Sequence, residues 1–242
     1  MSLLSSQRFY ALYSGILTAA LVVILFTGFD LSGRHQKLKV RELTVQRINI
    51  IEPDGTLRMV ISNKARAPGI YIKNKERLEG HHGNTAGLLF MNDEGTETGG
   101  LTFSGYRDAD GNARTSGHLA FDRYMQDQVI TFSAQQVNDQ RSTQVNMLDQ
   151  PAWPITDYLD LIDRIEDLPP AEQQAAIAEF LSTHESGASR LSLSRRPDRS
   201  VGLELKDTAG RPRAILKVDA DGTPRLQFLD EQGNLLAQFP EN

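Results

Sequence analysis

The densest group of chemically capable side chains is the run Phe121-Asp122-Arg123-Tyr124-Met125-Gln126-Asp127-Gln128. Asp122, Asp127 and the Tyr124 phenol are the types that carry acid–base work when their environments differ. The same run also fits a polar turn in which Arg123 and Tyr124 satisfy the acids locally. No nucleophile or third partner stands beside it in the chain, so a structural or interface role is the expectation. His81-His82, between Gly80 and Gly83, is the candidate metal pair. Adjacent side chains rarely converge on one ion, and a solvated loop accounts for the pair as well. The Asp-x-Asp-Gly runs at Asp108 and Asp219 are similar to calcium loops but lack the sixth-position Gly and the distal Glu. There is no Gly-x-Ser-x-Gly, His-Glu-x-x-His, Walker loop or Gly-x-Gly-x-x-Gly opening a helix. No cofactor is expected.

Composition narrows the classes further. The 242 residues contain no cysteine, which removes disulfides, thiol catalysis, Cys-based zinc sites and lipid attachment through Cys. The net charge is −5, from 26 basic and 31 acidic residues, so no overall basic character points to nucleic acid.

The elements that must position these residues are β-hairpins. A turn of the form Asp-x-x-Gly-x-x-Arg recurs at Asp207–Arg213, Asp219–Arg225 and Asp108–Arg114, nearly at Glu52–Arg58, and more loosely at Asn92–Thr98 and Asp230–Leu236. An Asp or Asn at the first position accepts from the backbone two residues on, and the Gly supplies the left-handed conformation that closes a bulged hairpin. Around Asp219 the expected pairs are Val218 with Pro224, Leu216 with Leu226 and Ala214 with Phe228, an apolar face opposite Lys217, Arg225 and Gln227. The repeat arginine is then expected as a solvated charge on the polar face. Around Asp207 the phase slips, which calls for a bulge or for cover on both sides.

In chain order, residues 9–29 are uncharged and apolar, long enough for one transmembrane helix, with aromatics at both ends. Thr27-Gly28-Phe29-Asp30 makes a poor signal-cleavage site, so an uncleaved anchor is expected after a tail of residues 1–8. Arg34, Lys37, Lys39 and Arg41 follow in a juxtamembrane linker, 30–42. The positive-inside rule places the following domain in the cytoplasm. A short anchor ahead of a hairpin-rich domain points instead to export, which is the reading taken. A mainly β domain is expected over 43–242, a meander forming a sandwich, barrel or irregular stack. Its strands are expected at Gly87–Met91, Gly100–Ser104, His118–Phe121, Gln128–Phe132 and Thr143–Leu148. Ile155, Tyr158, Leu159, Ile162 and Ile165 have helical spacing, and Pro170 opens a second helix, so a helical hairpin is inserted at 154–186.

Residues 46–63 (Gln46-Arg47-Ile48-Asn49-Ile50-Ile51-Glu52-Pro53-Asp54-Gly55 through Asn63) resemble the opening of an uncharacterised group of bacterial anchored or exported proteins. Similar phrases lie at 89–95 with 99–101 and at 121–124 with 127–129. The resemblance implies a bacterial origin and an envelope setting; it carries no activity. The functional expectation is a non-enzymatic, single-pass binding or scaffold module of the bacterial inner membrane, its β domain extracytoplasmic. Its partners would be the lipid bilayer and a protein or a second copy, with no nucleic acid. The alternative is an envelope hydrolase with its site near Asp122, Tyr124 and Asp127.

Overall fold

The turns close as the repeat requires. In the computed structural model, which describes residues 3–28, 37–83 and 85–241, the first residue of each copy receives the Gly N–H and donates its own N–H four residues on. At Asp219 these bonds are Gly222 N to Asp219 O and Asp219 N to Thr223 O, both 2.9 Å. The same pair of bonds recurs from Glu52, Asn92, Asp108, Asp207 and Asp230. It also closes Arg196–Ser200, where Arg199 takes the positive φ (77°) that Gly takes elsewhere, and Arg123–Asp127, where Met125 takes it (53°). The Asx bonds form as expected: Asp207 Oδ1 accepts from Ala209 N (3.0 Å) and Arg211 N (3.1 Å).

The hairpins link into strands β1 (Arg47–Ile51), β2 (Leu57–Ser62), β3 (Ile70–Ile72), β4 (Lys75–Arg77), β5 (Ala86–Met91), β6 (Glu97–Arg107), β7 (Ala113–Asp122), β8 (Gln128–Val137), β9 (Gln140–Asp149), β10 (Ala188–Arg195), β11 (Val201–Lys206), β12 (Pro212–Val218), β13 (Pro224–Leu229) and β14 (Leu235–Phe239). Twelve of them form one antiparallel sheet in strict chain order, and β3–β4 form a separate two-stranded insert. The Asp219 hairpin has the expected register: Val218 opposite Pro224, Leu216 opposite Leu226, Ala214 opposite Phe228. The slip before Asp207 is a bulge between Leu205 and Lys206, which keeps Leu203 and Leu205 opposite Leu216 and Ala214. Two expectations are corrected. First, β6 to β9 run for 11, 10, 10 and 10 residues, about twice the expected length. Their outer halves are polar and satisfied across the strands, as by Ser104 Oγ and Ser116 Oγ at 2.9 Å, so hydrophobic alternation does not mark them. Second, the repeat arginine is no lone solvated charge but pairs with the acid that opens its own turn. Arg225 Nε lies 2.8 Å from Asp219 Oδ2 and Arg114 Nε 2.9 Å from Asp108 Oδ2. These pairs are partly exposed and contribute about 0–1 kcal/mol each.

Between β9 and β10 stand α2 (Ile155–Ile165) and α3 (Pro170–Thr183), the expected helical hairpin. Leu159, Leu161 and Ile165 are buried, so Leu161 takes the place expected of Ile162. The chain divides into two compact units, Met1–Thr44 and Val45–Asn242. In the first, α1 runs Leu3–Gly28. Among the described residues no helix is long and apolar enough to cross a membrane. Phe29, Arg34 and the start of the linker lie outside the described residues.

The sheet has two unlike faces. Cross-strand partners share a face, so the pairing traces one apolar row: Ile61–Leu88–Leu101–Leu119–Phe132–Val145–Leu193–Leu203–Leu216–Leu226–Phe239. The next row down reads Gly99–Phe121–Ile130–Met147–Leu191–Leu205–Ala214–Phe228. The opposite face carries Val60, Leu89, Gly100 and Ala120 at one end, then Thr131, Asn146, Ser192, Glu204, and across the next pair of strands Lys217 beside Arg225. The buried core lies on that second face: Leu57, Val60, Leu89 and Met91 cluster with Tyr71 against them.

Gly222 has φ +91° and no atom within 4 Å of where a Cβ would stand. Gly222→Val is therefore expected to act through the backbone alone and to lower stability by about 1 kcal/mol or more. A thermal melt compares it with wild type; an unchanged midpoint would refute the turn assignment.

A candidate ligand cavity under the helical insert

β7 places His118, Ala120 and Asp122 on one face by simple alternation. Asp122 stands at the bulge where β7 gives way to the Arg123–Asp127 turn, opposite Gln128. On β6, Glu97 has the phase of the apolar face, yet it lines the same space as Asp122. Gly99 explains this, with φ +132° and a bulge beside it between Phe90 and Met91. A Cβ at Gly99 would stand 2.2 Å from Ala120 O, so only glycine fits there. The segment after β4 delivers His81 and His82, and α2 delivers Ile155, Tyr158 and Leu159. Two contacts fix the helix over the sheet: Ile155 N donates to Met125 O (2.8 Å), and Arg77 Nη2 pairs with Asp160 (2.9 Å) and Asp163 (2.5 Å).

Together these elements line a partly open cavity of about 340 Å³, floored by Leu89, Gly100 and Ala120 and walled by Ile70, Ile72 and Leu159. At its polar end His82 Nε2 lies 3.3 Å from Glu97 Oε1, though without hydrogen-bond geometry. His118 Nε2 and Gln128 Oε1 are 3.2 Å apart. His82 Nε2, Glu97 Oε2 and Asp122 Oδ1 are buried with no hydrogen-bond partner. Burial first, then the negative charges of Glu97 and Asp127, push the Asp122 carboxyl up to about 7, with His82 opposing. The His81 imidazole is pushed down, chiefly by burial and then by His82. Asp122 is thus a carboxyl able to exchange a proton near neutral pH.

Of the residues singled out from the sequence, Asp122, Asp127, His81 and His82 line this one cavity. Tyr124 does not: it is exposed, and its hydroxyl donates to Glu94 Oε2 at 3.0 Å. The local satisfaction expected within the turn is not what forms. Arg123 donates outward to the carbonyls of Gln150 (3.0 Å) and Pro151 (2.6 Å), which leaves Asp122 without its guanidinium. Gln126, at 7 % exposure, is spent on Trp153 O and Asp127 N. Glu97 and His118 were missed, the first because the glycine bulge inverts its phase, the second because a single His on a strand carries no signal. Among the described residues no group of His, Asp and Glu is arranged to hold a metal ion.

The opposite, apolar face carries a second depression, a groove of about 540 Å³ running from Leu101 and Phe103 through Leu119, Phe132 and Val145 to Leu193 and Val201. Phe103, Phe121, Phe132, Met147, Leu193, Leu205, Leu216 and Phe239 are all more than a third exposed along this face. In comparisons with known proteins, no family model and no curated protein matches the chain.

Proposed function

We propose that this is a non-enzymatic, membrane-anchored binding and scaffold module of the bacterial envelope, which associates with a second copy of itself through the apolar face of its sheet. The observation that carries the reading is that face: an apolar row crossing from β2 to β14 and left uncovered among the described residues. Soluble monomers rarely expose contiguous apolar area beyond a few hundred Å². Strands spaced about 4.8 Å apart, with two apolar rows, give roughly 700 Å² in plan, close to the about 800 Å² per partner of a standard interface. Two such faces stacked about 10 Å apart would make a sandwich. The full chain in mild detergent is expected to run as a dimer by light scattering, and Leu216→Asp as a monomer. A wild-type monomer at every concentration would overturn the self-association.

The anchor rests on the uncharged apolar stretch 9–29. Export of the β domain is proposed with it, against the cations Arg34, Lys37, Lys39 and Arg41 that follow. N-terminal sequencing of protein purified from membranes is expected to begin ahead of Phe9; a start near Asp30 would show a cleaved signal instead.

One observation favours a second reading, an acid–base hydrolase: Asp122 holds its proton to about 7 inside a cavity that Asp127 also lines. A measured hydrolysis abolished by Asp127→Asn with melting unchanged would establish it.

A further inference from the structure

We propose that the cavity between the helical insert and the sheet is a binding site for a primary ammonium group carried on an apolar body. This is independent of the association of the sheet faces, since the cavity lies on the other side of the sheet from the apolar rows.

The polar end sets two carboxylates against one imidazole, His82 Nε2 lying 3.3 Å from Glu97 Oε1. Glu97 Oε2 and Asp122 Oδ1 are buried carboxylate oxygens with no donor, and His82 Nε2 beside them has no partner. An unmet buried polar atom costs about 1–3 kcal/mol, more when charged, so three around one space mark it as built for an occupant. No lysine or arginine lines the cavity. The nearby guanidiniums are committed elsewhere, Arg77 to Asp160 and Asp163 and Arg123 to backbone carbonyls. An ammonium has three N–H donors, two of which match the unpartnered oxygens Glu97 Oε2 and Asp122 Oδ1. A bare divalent ion fits less well, because among the described residues no group of three or more His, Asp and Glu side chains is arranged to hold one. Ile70, Ile72, Leu89 and Leu159 give the rest of the wall an apolar stretch, beside Thr96, Thr102 and Tyr158, which suits an apolar body behind the amine. A volume of about 340 Å³ is a small-ligand volume.

The arrangement also sets a pH dependence. The groups facing Asp122 are Glu97 from β6, His81 and His82 from the segment after β4, Asp127 and Gln128 from its own turn, His118 from β7 and Tyr158 from α2. An ammonium needs the ionised carboxylate, and the free cavity holds that proton to about 7. Affinity should fall about tenfold from pH 8 to pH 6.

The test uses the full chain in mild detergent, with benzylammonium as probe and benzyl alcohol as its neutral counterpart of the same shape. Calorimetry at pH 8 is expected to show saturable binding of benzylammonium only, with about tenfold or greater loss in both Glu97→Gln and Asp122→Asn. Wild type titrated at pH 6 gives the same answer through the proton if either variant fails to fold. No binding at about 10 mM probe, equal binding of the alcohol, unchanged affinity in both variants, or zinc binding that benzylammonium does not displace would each overturn the assignment.

Discussion

Truncating Leu159 to alanine is expected to lower the free energy of unfolding by about 3 kcal/mol or more, read as a fall in the urea midpoint at unchanged slope. Leu159 is 1 % exposed, among the most buried side chains in the chain. It stands on the one face of α2 that meets the sheet, and it walls the cavity across from Leu89 and Ala120. A leucine-to-alanine change in a core costs the lost transfer energy plus a term for the void left behind. Here the void opens into a cavity that already exists, held apart by the polar groups at its other end, so collapse cannot recover much. The cost should therefore sit in the middle or upper part of the 2–5 kcal/mol range seen for such changes. A loss below about 1 kcal/mol would mean that α2 is not docked through this residue. Benzylammonium binding should weaken in the same variant, because the roof of the site loses its anchor.

The second large effect is one of pH. Asp122 holds its proton to about 7 in the folded chain, against 3.8 for the unperturbed group, because it is buried beside Glu97 and Asp127. Its folded value is raised, so the folded state binds the proton more tightly than the unfolded one. The contribution is fully present below the unfolded value, is lost as pH rises from about 4 to about 7, and is level above that. Asp122→Asn keeps the shape of the protonated acid and has no charge to bury. The difference between variant and wild type is thus expected to be small near pH 4 and to grow to about 2–4 kcal/mol in favour of the variant by pH 8. Melting curves of the two proteins across that range isolate the residue from the other carboxylates, which act in both. A constant difference with pH would show that Asp122 is not buried among charges as described.

The contrast between these residues and the turns shows how far the amino-acid order reaches. The hairpins were legible because their chemistry is local. Asp207 and Gly210 do their work within five residues, and the Val218–Pro224 register follows from the turn length alone. The same locality hid the turn at Arg199, where a residue other than glycine carries φ 77°, and the one at Met125. It also hid the true length of β6 to β9, since Ser, Thr and Gln in the outer halves leave no apolar alternation to read.

The run at Asp122 was singled out for its residue types, and its surroundings were misread. Arg123 and Tyr124 adjoin Asp122 in the chain, but β7 ends at Asp122, and from the turn that follows both side chains find partners outside the cavity, at Gln150, Pro151 and Glu94. What Asp122 meets instead comes from far along the chain: Glu97 through the bulge at Gly99, His82 from the segment after β4, Tyr158 and Leu159 from α2. Turn chemistry and alternation act over a few residues, and they specified antiparallel hairpins, a helical insert and a one-sided apolar pattern. Burial, an unpaired carboxylate and a cavity arise only when segments some 25 to 85 residues apart close over one another, and those were decided by the packing of α2 and the β3–β4 insert on the sheet.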